Sequence, residues 1–515
     1  MHMNVMAHRV LALGSALLLT FVSACGSDAA LSAGEYAGDG DGDGDSGAVY
    51  DETIDDDGDN QYAEWVENDW IDVAEQSIST FSADVDTASY SMMRKSLTDG
   101  ALPDPRSIRV EEMLNYFRYD LEGPAVGEAE TFAVKLESGP SMFGGDDSRQ
   151  LLRIGVAAQE VPLAERDPAN LVFLVDVSGS MSGSHRLPLV KYALKQLVDK
   201  LSPDDTLGLV VYAGAAGVVL EPTPVVEKSK ILDALDALQA GGSTAGAAGI
   251  QAAYALAAGA MVDGINRVVL CTDGDFNVGL TGDPLVDLIE EYRETGVFLS
   301  VLGFGWGNFN DALMEELTNA GNGNYAYIDT PNEALRVLGE NLVGTLQVVA
   351  KDVKLQVEFS PATVHRYRLI GYENRLLEND DFTDDTVDAG DMGAGHHMTA
   401  LYEIELTDEA KGLSVPAATP LATLRVRHKK PTGDTSIETE RAIALSEIAP
   451  SLDLVSDDYR WSMAVAEFGE VLRESMHVDV VDFAAIRSVL ASLQGEEPVR
   501  QELVELVDTA EALSP

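Results

Sequence analysis

Between residues 171 and 317 short apolar runs alternate with segments of helical periodicity, and this alternation restricts the fold more than any other feature of the chain. The runs 171–177, 206–212, 268–271 and 297–304 are rich in Val, Leu and Phe and are bounded by Gly and Asp. Between and after them, 187–201, 231–238, 247–261, 284–292 and 311–317 place apolar residues at helical spacing. Short, nearly continuous apolar strands are buried on both faces, so the pattern predicts an α/β unit, a mostly parallel sheet with helices on either side. A strand at 323–328 and a helix at 331–346, with proline at its start, close the unit.

The flanks differ. Strands are expected at 131–136 and 151–157 before the unit and at 353–359, 365–372, 398–406, 421–427 and 435–444 after it, with helices at 460–474, 483–493 and 501–513. Strands on both sides imply that the α/β unit is inserted into a β-sandwich made from both flanks. Residues 79–121 read as helix-rich, and Asp84 and Asp86 read as helix caps rather than cation ligands.

The chain of 515 residues exceeds what one core usually supports. It divides into a signal segment (1–25), an acidic tether (26–78), a helix and strand region (79–165), the α/β domain (166–348), a β-rich region (349–450) and terminal helices (451–515).

His8 and Arg9 precede an apolar run at 10–22 and small residues ending at Cys25, a secretory signal pattern. From Asp28 to Glu75 there are seventeen acidic residues and no Lys or Arg, a composition that cannot bury a core and that self-repulsion extends. Asp39, Asp41, Asp43 and Gly44 open like a calcium loop, but the twelfth position is Tyr50 where a bidentate Glu is needed, so the stretch reads as linker. No later run of about 20 apolar residues offers a membrane span.

Asp and Glu total 87 against 34 Lys and Arg, a net charge of −53. Such a surface repels phosphate backbones and anionic lipid, which argues against nucleic acid and favours divalent cations. It also keeps a chain soluble, so by itself it assigns no role. The two cysteines, Cys25 and Cys271, make no disulfide framework, and Cys271 in its apolar run reads as a buried small hydrophobe.

Ligands of open α/β sheets bind outside the carboxyl ends of the strands. Asp176-Val177-Ser178-Gly179-Ser180 stands at one such end, Thr272-Asp273-Gly274-Asp275 at another, and Gly241-Gly242-Ser243-Thr244 precedes the 247–261 helix. Taken singly these are caps and turns. Together they gather hard oxygen ligands of the kind a small octahedral cation takes, in a number that leaves room for an external ligand. Asp275 and Asn277 read as supporting or capping residues. His396 and His397 adjoin Asp391, but neighbours in a strand point to opposite faces, so they read as surface or turn residues rather than a zinc pair.

The Asp-x-Ser-x-Ser, later Thr and strand-end Asp resemble the metal-ion-dependent adhesion site of von Willebrand factor type A domains. The resemblance implies that Ser178 and Ser180 bind a divalent cation directly, that Asp176, Asp273 and Thr244 bind directly or through water, and that an open coordination position takes an acidic side chain of a bound protein. Mg²⁺ is the expected ion, with Mn²⁺ or Ca²⁺ as alternatives. Val22-Ser23-Ala24-Cys25 resembles a bacterial lipoprotein signal, which implies a lipid-modified Cys25 as the sole membrane attachment. Gly26 in the next position favours the outer membrane by resemblance to enterobacterial sorting. The segment from Thr80 to Tyr90, Arg368-Leu369-Ile370-Gly371-Tyr372-Glu373-Asn374-Arg375 and Gly393-Ala394-Gly395-His396 are similar to bacterial lipoproteins that carry a type A domain.

The expectation is therefore an envelope lipoprotein that binds a protein or other acidic ligand through its metal. A structural or assembly factor with a fold-stabilising metal is the second reading, and a metal-dependent hydrolase the third. Neither a Gly-x-Ser-x-Gly elbow nor a phosphate loop ending in Lys-Ser/Thr is present, and no enzyme is expected.

Overall fold

The chain enters its folded body through β1 (Ile71–Asp72) and β2 (Ile78–Ser82), then forms α1 (Ala88–Thr98), α2 (Val110–Asn115), β3 (Phe132–Pro140) and β4 (Arg149–Ala158). The computed structural model describes residues 60–142, 149–242, 246–274, 283–307, 309–433 and 435–514, all within one unit, 54–515. The expected signal segment with Cys25, the tether up to residue 59, Thr244, Asp275 and Asn277 lie outside the described residues.

The α/β unit follows: β5 (Ala169–Asp176), α3 (Leu187–Lys200), β6 (Thr206–Tyr212), β7 (Ala216–Pro224), α4 (Lys228–Asp236), α5 (Gly246–Ala258), β8 (Ile265–Thr272), α6 (Asp283–Arg293), β9 (Phe298–Phe304), α7 (Asp311–Ala320), β10 (Tyr325–Ile328), α8 (Pro331–Leu335) and α9 (Leu342–Leu346). Its sheet has the order β10-β9-β8-β5-β6-β7, parallel except for the antiparallel edge β7. Every residue of β5 and β8 is buried. Along β5 the side chains alternate between two cores, Leu171, Phe173 and Val175 against α3, and Val172 and Leu174 against α5.

After the unit come β11 (Val348–Phe359), β12 (Val364–Ile370), β13 (Leu376–Leu377), β14 (Gly390–Gly393), β15 (His397–Leu406), α10 (Asp408–Lys411), β16 (Pro420–Lys429) and β17 (Ser436–Ala444). They join the leading strands in two five-stranded antiparallel paths, β1-β12-β15-β4-β3 and β13-β2-β11-β16-β17, with β14 paired to β11. Phe81, Ile154, Val156, Leu355, Val357, Tyr402 and Leu424 share the core between these sheets. The α/β unit is thus inserted into a sandwich to which residues before and after it both contribute. The edge strand β17 carries Glu438, Glu440 and Arg441, charges that discourage pairing with another chain. The last helices, α11 (Asp457–Leu472), α12 (Phe483–Leu493) and α13 (Pro498–Leu513), pack with α1 and α2 around Trp461, Phe117 and Tyr90. No helix among the described residues is long and apolar enough to cross a membrane.

Several expectations need correction. The tether does not run to residue 78. Tyr62 and Val73 are buried, Asn60 and Gln61 bond to the 307–311 backbone, and Glu67 lies 3.4 Å from Arg473, so aromatic burial and paired charge order the stretch despite its acidity. Residues 79–82, read within a helix-rich region, belong to β2, a strand between β11 and β13. Asp84 and Asp86 do not cap α1, whose N-cap is Thr87 without a side-chain bond. Asp86 instead accepts from the Tyr325 N–H at 2.8 Å, and both aspartates pair with Arg375. The closing helix is not continuous, because a π turn at Arg336–Glu340 separates α8 from α9. His396 and His397 are half-buried. The first takes the Gly393 N–H on Nδ1 at 3.2 Å, and burial pushes its ring down to about 3.

Phe81 is fully buried, edge-on to Tyr372 at 4.9 Å and to Tyr402 at 6.3 Å. Phe81→Ala should cost about 3–5 kcal/mol in urea unfolding. A loss below about 1 kcal/mol would place the segment outside the core.

Candidate metal centre

Adjacent strands β5 and β8 mark where the order of the sheet reverses, since the chain runs outward from β5 through β6 on one side and from β8 through β9 on the other. At such a point the loops diverge and leave a crevice at the carboxyl ends. Asp176 ends β5, and Asp273 directly follows β8. Both are fully buried, Ser178 is nearly so, Ser180 is half-buried and Gly179, Gly241 and Gly242 are exposed. The oxygens therefore sit at the bottom of a rim made of glycine and serine backbone.

The turn after β5 is held by backbone. The Val177 N–H donates to Tyr212 O at 3.0 Å, Gly241 N–H to Val177 O at 2.8 Å and Gly179 N–H to Gly242 O at 3.0 Å. Ser178 does not cap the following 3₁₀ turn, Gly179–Ser182. Its N–H donates to Asp176 Oδ1 at 2.7 Å, and its Oγ lies 2.8 Å from Ser180 Oγ. The Thr272 hydroxyl reaches Asp176 Oδ2 at 3.4 Å and accepts the Gly274 N–H at 3.1 Å. Gly274 is required twice over, by φ +86° and by a close approach in which a Cβ would lie 2.5 Å from Asn310 N.

The electrostatics separate the two aspartates. Burial, the largest influence, pushes Asp176 up to about 6, and the negative charge of Asp273 adds to it. Hydrogen bonds from Ser178 and Tyr212 oppose that rise. Neither carboxylate oxygen of Asp273 receives a hydrogen bond among the described residues, although both are buried. The nearest cation is Arg186, whose Nη1 is 3.7 Å from Asp273 Oδ2 and donates to Ser180 O at 2.6 Å. A buried carboxylate so poorly paired is unfavourable unless a cation completes it. Asp176, Ser178, Ser180 and Asp273 thus present the oxygens that a hard divalent ion takes, and they fit such an ion.

Residues 170–340 match the von Willebrand factor type A domain, 56–153 a von Willebrand factor family, and 344–513 the family described as Uncharacterized protein YfbK, C-terminal. The uncharacterized protein YfbK of Escherichia coli is 38% identical over 478 residues, 89% of this chain and 82% of that one. The chain belongs to the YfbK family. An uncharacterized protein of Synechocystis sp. is 31% identical over 218 residues, 42% of this chain and 51% of its own. Among solved structures, a von Willebrand factor type A protein from Catenulispora acidiphila is similar at 16% identity and TM-score 0.44, covering 77% of this chain and 91% of that one. Type A domains often bind a divalent metal and typically mediate metal-dependent protein interactions.

Of the five residues expected at the site, the structure brings four together, and Thr244 lies outside the described residues. Sequence reasoning missed Arg186, which sits at the far end of an exposed loop and whose second nitrogen reaches Trp306 O. It also missed that Asn60 and Gln61 brace the neighbouring loop. Asn60 Oδ1 accepts from Gly307 N–H at 3.1 Å and Phe309 N–H at 2.9 Å, and Gln61 N–H donates to Phe309 O at 2.8 Å. A second acidic group, Asp84, Glu112 and Glu315, places carboxylate oxygens within 4.8 Å of one another. Arg109 and Arg375 already pair with it, which makes it a buried ionic weld between the leading segment and α7.

Replacing Asp273 by Asn removes a poorly compensated buried charge and keeps the shape. In chelator the variant should be more stable than the parent by about 1–3 kcal/mol in thermal or urea unfolding. Destabilisation of that size would show that Asp273 is already satisfied by the protein.

Proposed function

We propose that this chain is a cell-envelope lipoprotein that binds a protein ligand through a divalent ion held by Asp176, Ser178, Ser180, Asp273 and Thr244. The observation that carries the reading is the buried Asp273 carboxylate, which accepts no hydrogen bond among the described residues and has Arg186 no nearer than 3.7 Å, beneath an exposed Gly-Ser rim. An ion there, Mg²⁺ in the first instance, supplies a Lewis-acidic position that an acidic side chain of the ligand can occupy. The protein's own part is geometric. β5 and β8 hold two carboxylates apart from solvent, the Gly241-Gly242 turn keeps the approach free of side chains, and Ser178 and Ser180 stand 2.8 Å apart on the open side.

The proposed anchorage rests on Cys25 and the acidic stretch behind it, which would hold the body at the membrane, the outer one by the Gly26 resemblance. Negative charge on tether and body disfavours anionic lipid as the ligand and leaves the metal as the acceptor for an acidic partner. In the second reading the metal stabilises an assembly factor and contacts nothing.

Mg²⁺ at about 100 times its Kd should stabilise the protein by about 2.7 kcal/mol. The increment should vanish in Asp176→Ala. Affinity capture from envelope extract should then retain a partner with Mg²⁺, lose it in chelator and lose it with folded Asp176→Ala protein. A partner list identical under all three conditions overturns recognition through the metal. Loss of the stability increment alone, with partners unchanged, favours the second reading.

A further inference from the structure

Between β9 and α7 the chain forms a wall that the metal centre shares with the leading segment. On the side of the centre, this wall touches both Arg186 and the turn that carries Asp273. Gly305, at φ +80°, lies so close to Arg186 that a Cβ would stand 2.5 Å from its Nε. The Trp306 carbonyl accepts from Arg186 Nη2. The Asn310 nitrogen packs onto Gly274, where a Cβ would stand 2.5 Å from it.

The opposite side of the wall is held by Asn60 and Gln61. Asn60 Oδ1 accepts the Gly307 N–H at 3.1 Å and the Phe309 N–H at 2.9 Å. The Gln61 N–H donates to Phe309 O at 2.8 Å, and its carbonyl accepts the Asp311 N–H at 2.9 Å. Asn310 Nδ2 adds a bond to Gln61 Oε1 at 3.2 Å. Four backbone groups of the wall therefore owe these partners to a segment that comes from the far amino-terminal side of the sequence.

Arg186 is the side chain that this wall positions. Its Nη1 donates to Ser180 O at 2.6 Å and lies 3.7 Å from Asp273 Oδ2. A charge-assisted N–H···O bond spans about 2.7–2.9 Å, so a shift of about 1 Å would seat the guanidinium on Asp273. That carboxylate accepts no hydrogen bond among the described residues. A divalent ion at the centre needs the same carboxylate, and its charge repels a guanidinium placed there. On the carbonyls of Ser180 and Trp306, Arg186 leaves Asp273 to the metal; on Asp273 it takes the metal's place.

We propose that Arg186 is an internal competitor of the metal ion, and that Asn60 and Gln61 keep it off Asp273 by fixing the wall that holds it. The proposal rests on the metal-dependent reading above and adds its regulation. The acidic stretch runs directly into Asn60 in the sequence, so a pull on that stretch acts on this segment. Drawing the segment away loosens the wall, frees Arg186 to reach Asp273 and weakens the metal site. By linkage, the bound ion in turn strengthens the grip of Asn60 and Gln61 on the wall.

The test is a double-mutant cycle read by calorimetric titration of the intact protein with Mg²⁺ alone. Arg186→Gln keeps a donor for the carbonyls without the charge and should bind Mg²⁺ at least about fivefold tighter than the parent. Asn60→Ala should bind it at least about fivefold more weakly. In the Arg186→Gln background the same Asn60→Ala change should matter less than about twofold, because the competitor is gone. In the unsubstituted protein, Mg²⁺ should slow amide exchange at Gly307, Phe309 and Asp311, a readout that stands even if a variant fails to fold. Unchanged affinity in folded Asn60→Ala, an equal loss in both backgrounds, weaker binding by Arg186→Gln, or exchange indifferent to Mg²⁺ overturns the regulation alone. A parent that binds no Mg²⁺ overturns the metal centre and the regulation together.

Discussion

The pairing of β2 with β11 and of β4 with β15 joins segments separated by the whole α/β unit. Phe81 lies opposite Leu355, and Leu152 opposite Tyr402, across more than 200 intervening residues. The cost of closing a loop grows only with the logarithm of its length, and here the loop is itself a folded unit whose ends return to one place. Once both sandwich sheets close, the two ends of the unit are fixed. The helical layer depends on the same closure, since α1 and α2 come from before the insertion while α11, α12 and α13 come from after the sandwich. Removing the pairing would release all three layers together.

Within that frame the α/β unit uses its one topological break to bring acids to the surface without exposing them. Asp176 and Asp273 are side by side because β5 and β8 are neighbours in register, with Val175 opposite Cys271. Two buried carboxylates so placed repel each other, and among the described residues hydrogen bonds reach only Asp176. Arg186 approaches Asp273 to 3.7 Å, while it donates to Ser180 O and Trp306 O. The arrangement is poised for a cation from solution, and the acidic character of the chain makes cations locally abundant.

The sequence was most legible where periodicity and chemistry coincide. The apolar runs of β5, β6, β8 and β9 appear where expected because central parallel strands need no alternation, and the Asp-x-Ser-x-Ser turn follows directly from where such a strand ends. β7 was not expected, since Val218 and Val219 are exposed on an edge and the strand carries Pro222 and Pro224 without a helical or alternating signal. The strand β2 was hidden by Ser and Thr, residues that suit caps as well as sheets, and its place is set by β11, which lies far along the chain. Local rules also misread Asp84 and Asp86: a helix N-terminus was near, but Arg375 and the Tyr325 N–H, both distant in sequence, offered better partners. Arg186 carried no signal at all, because its role depends on a loop that approaches from β9.

The central claim is that Asp273, whose buried carboxylate accepts no hydrogen bond among the described residues, marks a divalent ion shared with Asp176, Ser178 and Ser180. Crystals grown with Mn²⁺, measured at a wavelength sensitive to its anomalous scattering, address that claim most directly. The account predicts one anomalous peak within about 2–3 Å of the Ser178 and Ser180 hydroxyl oxygens and bordered by both aspartates. Density at that place without anomalous signal, with Arg186 instead turned fully onto Asp273, would contradict it.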